Sequence, residues 1–161
     1  MLIPGSIMQC MASFVAQNVG AGKEDRAKKG MLYGMAIGAG IGVIIALVAF
    51  FKGDVLASIF SNNPQDIARA FEYLKGFALE AIITSILFSF MGYFNGHSKS
   101  MFVMIQGLAQ SFWVLLPISY IMSIQPNASL TYIGLAAPAA TVFGIVLCLI
   151  YYKKCNRQQK L

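Results

Sequence analysis

An all-α, polytopic transmembrane helical bundle of about five spans is the fold class this sequence predicts, and three observations predict it. The 161 residues are 58% hydrophobic and only 11% charged, whereas soluble domains carry about 25% charged residues. From Ser100 to Tyr152 there is no Asp, Glu, Lys or Arg, a length that crosses a roughly 30 Å hydrocarbon core about twice at about 1.5 Å per helical residue. The apolar runs are separated by short turn-forming stretches: Gly20-Ala21-Gly22, Ser61-Asn62-Asn63-Pro64, Asn95-Gly96-His97 and Gln125-Pro126-Asn127. An outer-membrane barrel is excluded because alternation at period 2 is missing. The net charge of +6 does not imply nucleic acid as a partner, since most basic residues lie between apolar runs rather than on one exposed face.

The spans are expected at about 4–19, 30–51, 70–94, 101–122 and 131–152, forming one bundle over residues 1–161. The first is short, and Ser6, Gln9, Ser13 and Gln17 fall at steps of three and four along it. A polar stripe in lipid faces another helix or water, so contact between helices and cavity lining both fit. In the second, Gly30, Gly34, Gly38 and Gly42 recur every four residues, which lets a neighbouring helix approach closely. Gly38-Ala39-Gly40-Ile41-Gly42 is no dinucleotide fingerprint, as it follows no strand and lacks the required spacing. Gly20-Ala21-Gly22-Lys23 lacks the hydroxyl residue of a phosphate loop, Glu24 standing in its place. Pro117 and Pro138 lie inside the fourth and fifth spans, where proline removes a backbone donor and kinks a helix.

Among the apolar spans, Glu80 is the one acid well inside, about 15 Å along the third helix from its expected start. A charge near the bilayer centre costs about 2.5 to 3.5 kcal/mol on insertion scales, so such a group faces a cavity, finds a partner or takes a proton. Cation or proton binding is therefore one reading of Glu80. A hydrogen bond within the bundle, to Thr84 one turn on, is the other. Tyr73, Gly76, Phe77, Ile83, Thr84 and Leu87 share its helix face. Tyr73, Phe77 and Thr84, with Gln9 and Ser13 of the first span, would suit a cavity for an amphipathic cation, and most of them would equally suit ordinary packing. His97, next to Lys99, is expected to be a solvated loop histidine. Cys10, Cys148 and Cys155 lack the spacing of metal or redox sites and are expected as reduced thiols. Asn127-Ala128-Ser129 matches a glycosylation acceptor, but modification of so short a loop is not expected. No nucleophile and base fall together at a plausible depth, so the chain is not read as an enzyme.

Lys and Arg are retained on the cytoplasmic side of short loops. Placing Lys23, Arg26, Lys28, Lys29, Lys99, Lys153, Lys154, Arg157 and Lys160 inside leaves Lys52, Arg69 and Lys75 outside, beside Asp54, Asp66 and Glu72. The N-terminus is then outside and the C-terminus cytoplasmic. The basic loops could also meet anionic lipid head groups, although topology alone accounts for them. No basic region precedes the first apolar run, so a cleaved secretory signal is not expected.

Gln17-Asn18-Val19-Gly20-Ala21-Gly22-Lys23-Glu24-Asp25-Arg26-Ala27, between one apolar helix and a Gly-rich one, resembles the Q-x-x-G-A-x-x-x-x-R-A signature of multidrug and toxic compound extrusion (MATE) transporters. Glu72-Tyr73-Leu74-Lys75, the run from Gly92 to Lys99, Pro117 with Tyr120, and Ile133-Gly134-Leu135-Ala136-Ala137-Pro138 resemble later motifs of that family in order and spacing. The resemblance implies a cation-coupled antiporter, driven by Na⁺ or H⁺, that expels cationic amphipathic compounds by alternating access between two six-helix lobes. It implies an incomplete carboxy-terminal lobe in the plasma (inner) membrane, lacking the first lobe and one helix of the second. The implied partners are membrane lipid, a missing N-terminal lobe or second copy, and small cationic substrates; no cofactor beyond the coupling ion is expected. In several members an acid on the corresponding helix takes part in cation coupling, and Glu80 lies about one turn nearer the outer end than that acid. The rival readings are a lipid-linked precursor flippase, expected to show several cavity cations, and a non-transporting structural subunit or decayed fragment, to which the glycine stripe is equally suited.

Overall fold

The structure is a computed structural model that describes residues 2–58, 63–124 and 135–158. Helix α1 (Leu2–Gly20) leads through a tight turn into α2 (Glu24–Ser58), and α3 (Pro64–Gly96) leads through another into α4 (Ser100–Ala109). A π-helical segment, Gln110–Leu115, joins α4 to α5 (Leu116–Ile124), and α6 (Ala136–Gln158) completes the described chain. Among the described residues, four stretches are long and apolar enough to cross a membrane: Glu24–Gly53, Leu79–Gly96, Ser100–Ile124 and Ala136–Cys155. The chain is thus an all-α, multi-pass membrane bundle, with α1 as a fifth helix beside them.

The turns follow from helix-end chemistry. Lys23 N–H donates to Asn18 O (2.8 Å) and Gly22 N–H to Val19 O (3.0 Å), with Gly22 at φ +69°. This is the Schellman arrangement, which satisfies orphan carbonyls at a helix C-terminus. The second turn repeats it: Lys99 N–H donates to Phe94 O (2.9 Å) and Ser98 N–H to Asn95 O (3.0 Å), with Ser98 at φ +59°. At the start of α3, Asn63 accepts from Gln65 N–H at 3.1 Å and Pro64 occupies the first turn, where its missing donor costs nothing.

Several helices run beyond the expected spans. Capping lets α3 begin at Pro64, ahead of its apolar run. Helix α2 starts with Glu24 and Asp25, whose charges favour a helix N-terminus, and bends at Lys52 (φ −129°, ψ 21°). That bend brings Gly53 against Phe71 and Leu74 of α3. Pro138 lies inside the span Ala136–Cys155 but in the first turn of α6, so it is accommodated without a kink. Pro117 follows the π-helical segment; it cannot donate to Trp113 O and its ring crowds that carbonyl, and widening the preceding turn relieves both. The expected fifth-span start at Thr131 and the Asn127-Ala128-Ser129 motif lie outside the described residues.

Helix α3 is the centre, touching α1 and α2 on one side and α4 and α6 on the other. The glycine stripe of α2 makes the first contact. A Cβ at Gly34 would meet Met11, one at Gly38 would meet Ser85 and Ile7, and one at Gly42 would lie 2.6 Å from Ala81 O and 2.8 Å from Ile82 Cα. At Gly42 two backbones touch, as small residues permit in lipid. Gly92 and Gly96 of α3 receive α1 in the same way, against Met8, Met11 and Val15. On the other side Phe94, Phe102 and Tyr151 pack with ring centroids 3.8 to 5.3 Å apart, tying α3, α4 and α6 together. The core, including Met11, Val15, Met31, Leu87, Phe90, Phe94 and Cys148, fills this end of the bundle. Leu32, Ile37, Ile44, Phe51, Phe112, Trp113 and Tyr120 stand exposed on the outside, as lipid-facing side chains must.

Candidate functional site

Glu80 is at the middle of α3, equally far from Pro64 and Gly96, and only 5% of it is exposed. Its Oε1 accepts two hydroxyl hydrogen bonds, from Thr84 at 2.6 Å and from Thr141 of α6 at 2.8 Å. Its Oε2 is buried with no hydrogen-bond partner. Thr84 reaches Glu80 because residues four apart stack on one helix face. Thr141 arrives because the aromatic contacts and the packing of α6 on α3 bring two distant parts of the chain together.

Behind Thr141 lies a second polar layer. Gln110 Nε2 donates to Thr141 Oγ1 at 3.4 Å, and Gln106 Nε2 donates to Gln110 Oε1 at 2.7 Å. Gln106 and Thr141 are each 2% exposed, and Gln106 Oε1 is buried without a partner. Gly144 makes room for the two amides, since a Cβ there would stand 2.5 Å from Gln110 Oε1 and 2.6 Å from Gln106 Nε2. Unpaired buried polar atoms are costly and rare; two in one cluster mark this region out. The arrangement can hold a proton or a small cation at Oε2, where an oxygen acceptor otherwise has nothing to satisfy it.

Of the residues proposed from sequence, the structure joins Glu80 and Thr84. Gln9 and Ser13 are exposed on α1, on the side opposite Met11 and Val15, which face α3. The side chains of Tyr73 and Phe77 lie outside the described residues. Thr141, Gln110 and Gln106 were missed. A threonine or glutamine in an acid-free apolar stretch stands out only when read for polar positions at helical spacing, as Gln106 and Gln110 are.

His97 requires a correction. It is not a solvated loop residue: its side chain is 11% exposed, and its Nε2 lies 2.9 Å from Glu24 Oε1. Nδ1 lies 2.9 Å from Tyr93 O, and Tyr93 Oη donates to Glu24 Oε1 at 2.9 Å. The α1–α2 turn is thereby fastened to the end of α3. A groove of about 500 Å³ opens elsewhere, between α1 and α2, lined by residues including Ile7, Cys10, Phe14 and Tyr33. It is apolar and includes no member of the Glu80 cluster.

The family model MatE matches residues 1–121. The chain belongs to the MATE family. The match takes in α1 through most of α5, so Glu80, Gln106 and Gln110 lie inside it and Thr141 beyond it. No curated protein and no solved structure matches the chain. MATE proteins are transporters rather than enzymes, and membership together with the apolar helices makes this a multi-pass membrane transport protein.

Proposed function

We propose that this chain is the carboxy-terminal lobe of a cation-coupled antiporter of the multidrug efflux type, and that Glu80 takes the coupling ion, H⁺ or Na⁺. One observation carries the reading: a buried carboxyl with two hydroxyl donors on Oε1 and nothing on Oε2. In apolar surroundings a lone carboxylate oxygen is strongly unfavourable, and a proton or a sodium ion supplies what it lacks. Loading and unloading Glu80 then changes the charge at the centre of the helix on which the other helices pack, and alternating access needs such a switch. Gln9 and Ser13, exposed on the face of α1 turned away from α3, are offered to the substrate and to the opposing lobe or a second copy, while Thr84 acts through its hydrogen bond to Glu80. The substrates are small amphipathic cations, and the setting is the plasma (inner) membrane with the N-terminus outside.

The glycine stripe does not call for a partner chain, because Gly30, Gly34, Gly38 and Gly42 are taken up in contacts with α1 and α3 of the same chain. The test is efflux of a fluorescent cation from inverted membrane vesicles under an imposed H⁺ or Na⁺ gradient, using the complete transporter. Glu80→Gln is expected to lower gradient-driven efflux by about tenfold or more, the scale of a lost charge-assisted interaction, while membrane insertion stays normal. Undiminished efflux would remove Glu80 from the mechanism.

A further inference from the structure

The hydrogen bonds leading to Glu80 all run one way. Gln106 donates to Gln110, Gln110 donates to Thr141, and Thr141 donates to Glu80 Oε1. Each donor in such a chain polarises the next, and the sense here is toward the carboxyl. Thr84 adds a second donor from one turn along α3. Donors aimed at a carboxylate favour its charged form.

We propose that Thr141, Gln110 and Gln106 are positioning residues for Glu80, a one-way donor chain that stabilises the carboxylate and carries its loading state into the π-helical turn. The inference rests on the reading of Glu80 as the group that is loaded. Its second observation is the unpartnered Gln106 Oε1 at the far end of the chain. If both amides turned over, Gln110 would donate to Gln106 Oε1 and Thr141 would donate to Gln110. Thr141 could then only accept from Glu80, which requires a proton on the carboxyl. The protonated and the charged carboxyl of Glu80 therefore each have their own hydrogen-bond direction. Gln110 opens the π-helical segment, so reversal is felt where the helix is already widened. Pro117 keeps that turn from closing into a regular α-helical ladder.

Few other groups compete for control of Glu80. Among the described residues, the apolar parts of the neighbouring helices carry Cys10 on α1, Tyr33 on α2, Tyr93 on α3, Tyr120 on α5 and Cys148 on α6 as ionisable groups, and the ends of the spans add Glu24, Asp25, Arg26, Lys28, Lys29 and Lys52 on α2 and Tyr151, Tyr152, Lys153, Lys154 and Cys155 on α6. None of these is hydrogen-bonded to Glu80, and the one ion pair among the described residues joins His97 to Glu24.

The test uses the chain reconstituted in liposomes and a hydrophobic carbodiimide, which reacts with protonated carboxyls. Labelling of the Glu80 peptide is followed by mass spectrometry as a function of pH, with Glu80→Gln defining zero. Thr141→Val removes the donor at nearly constant volume and is expected to move the labelling curve to higher pH by about one unit or more, the size of one hydrogen bond to a charged group. Thr141→Ser is expected to restore the wild-type curve, which a purely structural role for the methyl group would not predict. Gly144→Ala displaces the amides without touching Glu80 or Thr141, and is expected to shift the curve the same way by less. A Thr141→Val curve that coincides with wild type or moves to lower pH overturns the inference, as does absence of Glu80 labelling at every pH. A shifted curve together with undiminished Glu80→Gln efflux would keep the donor chain and discard the coupling role. An unshifted curve with lost efflux would do the reverse.

Discussion

Glu24, Tyr93 and His97 form a small polar knot at the basic end of the bundle, where one carboxylate oxygen accepts from both the phenol and the imidazole. Both ring nitrogens of His97 face oxygen atoms, so whichever nitrogen carries hydrogen has an acceptor in reach. Removing one member of a part-buried, charge-assisted set leaves the others short of a partner, which costs about 1 to 3 kcal/mol. His97→Ala is accordingly expected to lower stability by about 1 to 3 kcal/mol, read by thermal unfolding in detergent. His97→Gln keeps one donor and is expected to lose less. Equal stability of His97→Ala and wild type would mean that the knot is incidental. The same local logic separates Glu80 from the rest of α3: its partners are two hydroxyls, and its second oxygen has none.

At the scale of the helix, glycine and the left-handed conformation decide where elements meet and end. Gly42 has no room for a side chain, because a Cβ would press on the backbone of Ala81 and Ile82, one turn from the Glu80 cluster. Gly42→Val is expected to destabilise the bundle by about 1 to 3 kcal/mol through overpacking, whereas Gly40→Ala, which meets open space, is expected to be neutral or mildly stabilising. Comparing the two in one unfolding assay tests the contact directly. Ser98 adopts φ +59° in the position where helices most often place glycine. Ser98→Gly is expected to raise stability by about 1 kcal/mol by removing the left-handed penalty; a loss would show that the serine hydroxyl makes a needed contact. Both Schellman turns keep the connections short, and short connections set neighbouring helices antiparallel.

Across the whole molecule, α3 works as an axle held by different means on its two sides. Backbone contact through glycines joins it to α1 and α2, and an aromatic cluster joins it to α4 and α6. Phe94 is 2% exposed and touches both Phe102 and Tyr151. Phe94→Ala is expected to cost about 3 to 5 kcal/mol and to loosen the α4 and α6 side first, seen as faster amide exchange there. Phe112→Ala, on an outward face that is 62% exposed, is expected to change stability by less than about 0.5 kcal/mol. Similar losses at both positions would contradict the placement of the core. The arrangement leaves one side of α3 closely fixed and lets the other, with its widened π-helical turn, carry the polar chain from Glu80.

Much of this was legible in the residues themselves. Hydropathy and the acid-free run from Ser100 to Tyr152 determined a membrane bundle, the four-residue glycine period determined a close helix contact, and the motifs from Gln17 to Ala27 pointed to the MATE family. Thr84 was legible beside Glu80 for the same reason, since one turn of helix places them together. All of these depend on interactions within a few turns of one helix. Thr141 and Glu80 are 61 residues apart, and His97 and Glu24 are 73 apart. Their meeting depends on the rotation of each helix about its own axis when it docks. That rotation is decided by the summed fit of Gly42 against α3 and of Phe94, Phe102 and Tyr151 against one another. No local period encodes it, so only the tertiary structure selects which polar side chains in an apolar stretch face the buried carboxyl and which face lipid.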